Sequence, residues 1–395
     1  MPPSLRNTKP PIEIKRPARK DEVRVESIFF MTGINKMRKR CDKISKNNSK
    51  ISKFAERNEA TVATGAKTEK KSMTKKKKIE IGPGEDGIVI RNTGSSYIVR
   101  KETGEEVNCR VKGNFRIKGI RTTNPVAVGD HVLVSKAADD ADYITSVSTR
   151  RNYIIRRASN LSKESHILAA NIDIAALVAS LRDPETPTTF IDRFLATAEA
   201  YGISAMIILN KSDIWDEYDR ELAEGLKVLY DSIGYKVMEV SAESGVGMEA
   251  LRGYLSNKIT LMAGNSGVGK STLINKLVPG ANLKTGKISD IHHQGMHTTT
   301  FSEMVDMPEE GSLIDVPGIR GFGTIDFAEE EVSHYFPEIF RTSKDCKYGN
   351  CKHLGEPGCA VKSAVESHYI SESRYASYLS IIEEIRNPEK YRKPY

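Results

Sequence analysis

A glycine-rich loop contains the residues of this chain that are best suited to chemistry. Residues 258–272 read KITLMAGNSGVGKST and fit the pattern G-x-x-x-x-G-K-[ST] between an apolar strand and a helix. In such a loop the backbone N–H groups surround phosphate, Lys270 reaches the β- and γ-phosphates, and the Ser271 hydroxyl binds Mg²⁺. The pattern therefore predicts a nucleoside triphosphate bound with Mg²⁺, and a glycine-rich turn without a ligand is the alternative. The predicted phosphate-binding residues are Gly264, Asn265, Ser266, Gly267, Val268, Gly269, Lys270, Ser271 and Thr272.

A second motif is suited to reading the base of the nucleotide. N-K-x-D stands directly after one apolar segment, and Ser-Ala follows the next apolar segment. The Asp213 carboxylate can accept hydrogen bonds from the ring N–H and the exocyclic amine of guanine, whereas adenine offers no such pair. The stem of Lys211 can pack on the ring face. The residues predicted to bind guanine are Asn210, Lys211, Ser212, Asp213, Ser241 and Ala242.

Two segments after the phosphate loop have the residues of nucleotide-sensing switches. Residues 315–318 read D-V-P-G, which would place the Asp315 carboxylate near Mg²⁺ and the Gly318 N–H at the γ-phosphate. Residues 297–300 read H-T-T-T, and a threonine hydroxyl in such a loop completes the Mg²⁺ shell when the γ-phosphate is present. We favour Thr298 for this role and place Thr299 second.

Three cysteines and one histidine near the C-terminus have the spacing of a metal site. They are Cys346, Cys351, His353 and Cys359. Three thiolates and an imidazole form a tetrahedral set for structural zinc, with no open position for water. The segments between them, YGN and GEPG, favour the turns that a chain folding back on one ion requires, and helices are predicted after them at 361–369 and 373–385. We predict one structural Zn²⁺ per chain, and the alternative is four unrelated buried side chains.

Alternating apolar and helical segments must position the nucleotide motifs. Helices are predicted at 190–201 and 218–232. Strands are predicted at 172–181, 203–209, 236–240, 259–263, 301–305 and 312–316. This alternation predicts a mostly parallel sheet covered on both faces. The N-K-x-D motif precedes the phosphate loop, whereas GTPases usually have the opposite order, so we predict a circularly permuted GTPase domain.

A smaller β domain is predicted before the permuted domain. About five short alternating segments between positions 87 and 144, separated by glycines, predict a small barrel of the oligonucleotide-binding kind. Residues 110–121 combine five basic side chains with Phe115 and contain no acid. Cations for phosphate and a ring for a base face suit irregular or single-stranded RNA, and an ordinary solvated loop is an equally good interpretation.

Charge divides the chain, which has 395 residues, into two parts. Positions 1–80 contain 23 Lys and Arg against 9 Asp and Glu, whereas positions 81–395 contain 37 against 43. Positions 1–80 also lack a sustained apolar period, so we predict a disordered extension, either a dispensable segment, which its composition favours, or a basic arm for RNA. No apolar run approaches the roughly 20 residues of a membrane span, and no secretory signal is present. We therefore expect a cytoplasmic protein, without membrane contact, in which the few cysteines stay reduced.

Taken together, the motifs resemble those of a known family. The permuted order, GNSGVGKS, HTTT and DVPG, with a barrel before and a Cys/His cluster after, is similar to the ribosome small-subunit-dependent GTPases, which are permuted bacterial assembly factors. The resemblance covers about residues 81–395. It implies an oligonucleotide-binding barrel, a permuted GTPase domain and a zinc domain. Because Ile319 stands where many GTPases have a water-orienting Gln, the family's switch histidine suggests His297 for that role; a solvated loop histidine is the alternative.

These observations give a domain plan and a predicted function. The plan is a basic extension at 1–80, a barrel at 81–150, a permuted GTPase domain at 151–322 and a mainly helical zinc domain at 323–395. The resemblance implies a monomeric GTP hydrolase that binds the small ribosomal subunit and its rRNA and assists late maturation, with hydrolysis stimulated by the particle and coupled to release. A nucleotide-regulated RNA-binding module with incidental hydrolysis is the second hypothesis. A P-loop kinase or ATPase is the third, and N-K-S-D argues against it.

Overall fold

The computed structural model describes most of the chain after the basic extension, and the described residues all belong to one compact unit. They are residues 81–94, 96–111, 125–137, 140–157, 165–281, 283, 302–308, 310–316 and 327–387. The extension and nearly all of the predicted basic stripe lie outside them. Among the described residues, no helix combines the length and apolar character that a membrane span requires.

A closed five-stranded barrel forms the N-terminal part of the described chain. Its strands are β1 (Ile81–Asn92), β2 (Tyr97–Lys101), β3 (Glu106–Val111), β4 (His131–Ala137) and β5 (Asp142–Val147). β1 pairs with both β2 and β4, and a parallel pairing of β3 with β5 closes the sheet. Successive side chains of a strand face opposite sides, so Val107 and Cys109 of β3 are buried while Asn108 is exposed. The prediction of a small β-barrel is confirmed.

A β-hairpin joins the barrel to the α/β domain. Its strands are β6 (Tyr153–Arg157) and β7 (Ser165–Ala170), which pair antiparallel. The Ala170 N–H donates to the Val128 carbonyl at 2.9 Å, and the Asn171 amide donates to the Gly129 carbonyl at 2.9 Å. Gly129 has φ +89°, and a Cβ there would lie 2.2 Å from the Ala170 carbonyl oxygen, so this contact requires glycine. The hairpin was not among the predicted strands.

Six strands form the sheet of the α/β domain. They are β8 (Ile174–Ser180), β9 (Ser204–Asn210), β10 (Lys236–Glu239), β11 (Ile259–Gly264), β12 (Glu303–Asp306) and β13 (Ser312–Asp315). Their order is β10-β9-β8-β11-β13-β12, and the pairings are parallel except for β12 with β13. Every residue of β8 is buried, as expected in a strand covered on both faces. The predicted strands correspond to these six within about two residues at each end.

In the part of the chain that the structure describes, four helices accompany this sheet. They are α1 (Thr188–Ala200), α2 (Glu217–Ile233), α3 (Met248–Leu255) and α4 (Lys270–Leu277). α2 begins with a capping box, in which Asp216 accepts from the Asp219 N–H and Asp219 accepts from the Asp216 N–H. It ends at Gly234, whose φ of +122° closes the last turn. The capping box fixes the start of α2 shortly after the N-K-x-D motif.

The barrel and the α/β domain share one sheet. On the side that does not face β13, strand β12 pairs antiparallel with β1, and Arg91 lies opposite Glu303. The result is a sheet of eleven strands that runs from β10 through β12 into the barrel. The predicted domain plan treats the two parts as separate, because nothing in the local sequence of β1 indicates a partner in a strand so distant along the chain.

A helical module follows the sheet. It contains a 3₁₀ turn at Val332–Tyr335 and the helices α5 (Pro337–Ser343), α6 (Ala360–Glu366) and α7 (Glu372–Arg386). Phe336, Ile339 and Ile381 lie in its core together with Ala196 of α1, so the module packs on the α/β domain. The predicted fold class, with a barrel, a permuted GTPase domain and a helical C-terminus carrying a Cys/His cluster, is confirmed.

Candidate nucleotide site and metal centre

The phosphate loop lies between β11 and α4, at the end of the parallel strands. Gly267 and Gly269 both have φ +89°, a conformation that side chains with Cβ rarely adopt. A Cβ on Gly264 would lie 2.7 Å from the Val178 carbonyl oxygen of the neighbouring strand. The glycines of the motif therefore serve both the turn and close packing against β8, and the helix N-terminus that begins at Lys270 is directed toward the loop.

Asn210 connects three loops at this edge of the sheet. Its side chain is buried, and its amide nitrogen donates to the Val268 carbonyl of the phosphate loop at 2.9 Å. Its amide oxygen accepts from the Ala242 N–H at 3.1 Å. A Cβ on Gly269 would lie only 2.4 Å from the same amide nitrogen. The structure thus brings the N-K-x-D, Ser-Ala and phosphate-loop residues together around one side chain.

The remaining residues of the guanine motif are held by short local contacts. Ser241 donates its hydroxyl proton to the Asp213 carboxylate at 2.5 Å and accepts from the Ser244 N–H at 3.0 Å. Lys211 has φ +68° and donates its ammonium to the Asp183 carbonyl. Asp213 is exposed, so one carboxylate oxygen is oriented by Ser241 while the group remains accessible to a ligand. Ser212 begins the 3₁₀ turn that presents Asp213.

Lys270 and Asp315 form an ion pair with each side chain only 14 % exposed. Asp315 is the last residue of β13, and in the sheet register it lies opposite Met262 of β11, the strand that enters the phosphate loop. A lysine for phosphate and a carboxylate for the Mg²⁺ side are thereby adjacent. Ser271 and Thr272 are in the first turn of α4, and Asn265 and Ser266 are in the loop before it. Gly318, His297, Thr298 and Thr299 lie outside the described residues.

Arg182 supports this site and was missed by the sequence analysis. It lies in the loop after β8 and forms ion pairs of 2.6 Å with both Asp216 and Asp219, the residues of the α2 capping box. The Asp219 N–H and the Arg182 guanidinium hold the pKa of Asp216 below its usual value. An arginine followed by an aspartate in a loop gives no local signal of this role, because its partners lie at the start of a later helix.

The four predicted metal ligands converge on one point. Their ligand atoms all lie within 4.8 Å of one another, and the His353 Nδ1 is 3.6 Å from the Cys346 Sγ and 3.5 Å from the Cys359 Sγ. A tetrahedral Zn²⁺ with Zn–S near 2.3 Å and Zn–N near 2.0 Å has S···N edges of about 3.5 Å. The residues therefore fit zinc geometry, with Nδ1 as the imidazole ligand and Cys351 completing the set.

The surrounding chain holds these ligands in place. Cys359 is the N-cap of α6 and accepts from the Lys362 N–H, so a thiolate there faces the positive end of the helix. Glu356 accepts from three backbone N–H groups of the ligand loop at 2.8–3.0 Å. Burial opposes its charge, yet these donors lower the pKa of Glu356 to about 2. Tyr375 donates to the His353 carbonyl at 2.5 Å.

Burial also shifts the pKa of two of the predicted metal ligands. It raises the pKa of the Cys351 thiol and lowers the pKa of the His353 imidazole. Both shifts favour the neutral forms of these groups. A cation that binds here must therefore displace the proton of the Cys351 thiol, whereas burial favours the neutral imidazole that ligates a metal.

Comparison with known proteins identifies relatives along nearly the whole described chain. The model described as RsgA GTPase matches residues 147–325, and the model described as RsgA N-terminal domain matches residues 86–144. The small ribosomal subunit biogenesis GTPase RsgA of Bacteroides fragilis (strain ATCC 25285) is 57 % identical over 309 residues, which cover 78 % of this chain and 99 % of the relative. The protein of the same name from Porphyromonas gingivalis (strain ATCC 33277) is 57 % identical over 315 residues, covering 78 % and 100 %.

Two solved structures share the fold. YjeQ from Thermotoga maritima has a TM-score of 0.63 and 34 % identity over 76 % of this chain and 98 % of its own. YloQ, described as a circularly permuted GTPase, has a TM-score of 0.60 and 28 % identity over 79 % and 97 %. The circular permutation that the motifs predict is therefore found in one solved relative, YloQ. With a family model matching through the nucleotide motifs and relatives aligned over almost their full length, this chain belongs to the RsgA GTPase family.

Proposed function

We propose that this chain is a GTP hydrolase that binds the small ribosomal subunit and assists its late maturation, with hydrolysis stimulated by the particle and coupled to release. The observation that carries the proposal is the bond from Asn210 to the Val268 carbonyl, which joins a guanine motif to a phosphate loop. It occurs in a chain whose relatives are named small ribosomal subunit biogenesis GTPases. The small ribosomal subunit is proposed as the partner because of that name, and GTP is proposed as the substrate because of the site geometry.

The nucleotide roles follow from the chemistry of each group. Asp213 would accept from the N–H groups of guanine, and Lys270 would neutralise the β- and γ-phosphates. Ser271 and Thr298 would hold the Mg²⁺ that enters with GTP, which neutralises charge on the phosphate oxygens. A water attacks the γ-phosphorus, the bond to the β-phosphate oxygen breaks, and GDP and phosphate leave. We assign the orientation of that water to His297 and the γ-phosphate contact to the Gly318 N–H, both on sequence position.

The barrel and the helical module, which flank the GTPase domain, would bind the small ribosomal subunit. We assign RNA contact to the barrel and to the basic stripe at 110–121, of which Arg110 is exposed at the end of β3. We assign the metal at the Cys/His cluster as one structural Zn²⁺, supported by its tetrahedral spacing and closed ligand set. The protein would act as a monomer in the cytoplasm, where its substrate particle and GTP are found.

Hydrolysis of GTP by the purified chain tests the proposal directly. The rate is measured alone and with small subunits, with large subunits and with free RNA, and ATP is tested as a competitor for bound GTP. We expect strong stimulation by small subunits, little by the other particles, and no competition by ATP. Equal rates under every condition would remove the particle from the proposal and favour a nucleotide-regulated RNA-binding module.

A further inference from the structure

Strand β12 lies between the barrel and the strand that carries Asp315. In sequence it follows the switch threonines and precedes β13, which ends at Asp315. In the sheet it pairs on one side with barrel strand β1 and on the other with β13. Any shift of the barrel relative to the α/β domain therefore acts on the strand beside Asp315.

One row of residues crosses all three strands. Arg91 of β1 lies opposite Glu303 of β12, and Glu303 lies opposite Asp315 of β13. Residues that lie opposite each other on neighbouring strands share a face of the sheet, about 5 Å apart, and like charges so placed destabilise the sheet. Glu303 and Asp315 are such a pair of carboxylates. Each has a cation on its other side, because Arg91 is ion-paired with Glu303 and Lys270 with Asp315.

A second contact fixes the other end of the same strand. Arg100 of barrel strand β2 is ion-paired with Asp306, and Asp306 also accepts from the Ser312 hydroxyl at 2.7 Å. Ser312 begins β13. The barrel therefore contacts β12 through an arginine at each end, and both contacts are relayed to β13.

We propose that Arg91 and Glu303 are positioning residues of the nucleotide site. Their ion pair neutralises the carboxylate opposite Asp315, and a movement of the barrel displaces Asp315 through this pair. An RNA that binds the barrel would then change the position of the Asp315 carboxylate, and thereby the rate of hydrolysis, without contacting the nucleotide. This proposal rests on the proposed function, because it requires a barrel that contacts the particle.

A charge-swap series tests the pair. The variants are Arg91→Glu, Glu303→Arg and the double variant, with Glu303→Gln as a milder change that leaves the barrel charge untouched. The measured quantity is the ratio of kcat with saturating small subunits to kcat without them, together with KM for GTP and the affinity for subunits. Lys236→Glu is the matched control, because it reverses an exposed charge on β10, at the end of the same sheet that lies away from the barrel. Melting temperatures show which variants fold.

We expect each single reversal to lower the ratio about fivefold, with the double variant restoring it and the control leaving it near the unaltered value. Restoration matters because a lost RNA contact at Arg91 would not return when Glu303 becomes arginine. If the unaltered chain is stimulated and every variant is stimulated equally, the positioning role is wrong. If the unaltered chain is not stimulated at all, the proposed function fails and this inference fails with it.

Discussion

The amide of Asn210 donates to the carbonyl oxygen of Val268 at 2.9 Å, which joins the guanine motif to the phosphate loop through one buried side chain. The same side chain accepts from the Ala242 N–H at 3.1 Å. The residues predicted to bind the base and the loop predicted to bind the phosphates are thus held in fixed relative positions before a nucleotide binds. An arrangement of this kind lowers the ordering cost of binding.

Asn210→Ala should weaken GTP binding about 10- to 100-fold, because the guanine motif and the phosphate loop would no longer be bonded to each other and nucleotide binding would have to order them. The matched control is Asn152→Ala. Asn152 makes the same two kinds of bond, to the Ile172 carbonyl and N–H, but does so beside the barrel. Both variants should lose thermal stability, and only Asn210→Ala should lose affinity in a nucleotide titration. Equal affinities for the two variants would contradict the prediction.

The convergence of the nucleotide motifs and of the Cys/His cluster was predictable because each motif is a short continuous pattern whose chemistry needs few residue types. The predicted strands of the α/β domain were also nearly correct, since buried parallel strands are continuous apolar runs. The hairpin β6–β7 was missed because its short strands carry arginines and a histidine among the apolar residues. The helix at 361–369 was predicted too long, since α6 ends at Glu366 and His368 adopts φ +56°.

Long-range contacts set the other limit of the sequence analysis. The pairing of β1 with β12 joins Arg91 to a glutamate 212 positions away, and a single arginine in β1 gives no sign of it. Arg374 similarly occupies a helix position that favours a solvated side chain, yet it is fully buried because two carboxylates from distant helices surround it. Such pairs become visible only once the tertiary structure places their partners.

Asp213→Asn should exchange guanine for xanthine. The carboxylate accepts from the amine of guanine, whereas an amide can donate to the carbonyl that xanthine has at that position. We expect GTP affinity to fall by about two orders of magnitude or more and XTP affinity to rise. Trp215, the single tryptophan of the chain, lies close by in sequence and provides a fluorescence signal for both titrations. Loss of affinity for both nucleotides would mean that Asp213 only braces Ser241.

His297→Ala should retain GTP binding and lose about 100-fold of the particle-stimulated turnover, because a group that orients or deprotonates water contributes to the transition state and not to binding. His292→Ala is the control, since it removes a histidine from the same segment. Single-turnover hydrolysis with saturating small subunits separates the two effects. An unchanged stimulated rate for His297→Ala would remove this residue from the mechanism.

Removal of the metal should unfold the C-terminal module. Without a cation the thiols are protonated and nothing bonds the four ligands to one point, so we expect the binding free energy of zinc to contribute folding free energy here. We expect one zinc per chain by elemental analysis, and its loss in Cys359→Ala. Cys109→Ala should retain zinc, because Cys109 is buried in the barrel far from the ligand set in sequence. A chelated protein that keeps its near-ultraviolet circular dichroism and melting temperature would contradict this prediction.

Arg374→Ala should be among the most destabilising single changes in the chain. Its guanidinium bonds Glu338 of α5 at 2.7 and 3.1 Å and Asp192 of α1 at 2.8 Å, and it packs over the Phe336 ring. Removing one partner of a buried ionic network leaves the other charges unpaired, at a cost of about 3–5 kcal/mol in the free energy of unfolding.

Arg193→Ala provides a matched comparison on the same two helices. Arg193 of α1 pairs with Glu384 of α7, but both side chains are partly exposed, so its loss should cost about 1 kcal/mol or less. Urea unfolding of the two variants measures both values under identical conditions. A large difference would show that the helical module is held on the α/β domain by the buried charges. Equal losses would instead assign that role to the apolar contacts around Ala196 and Phe336.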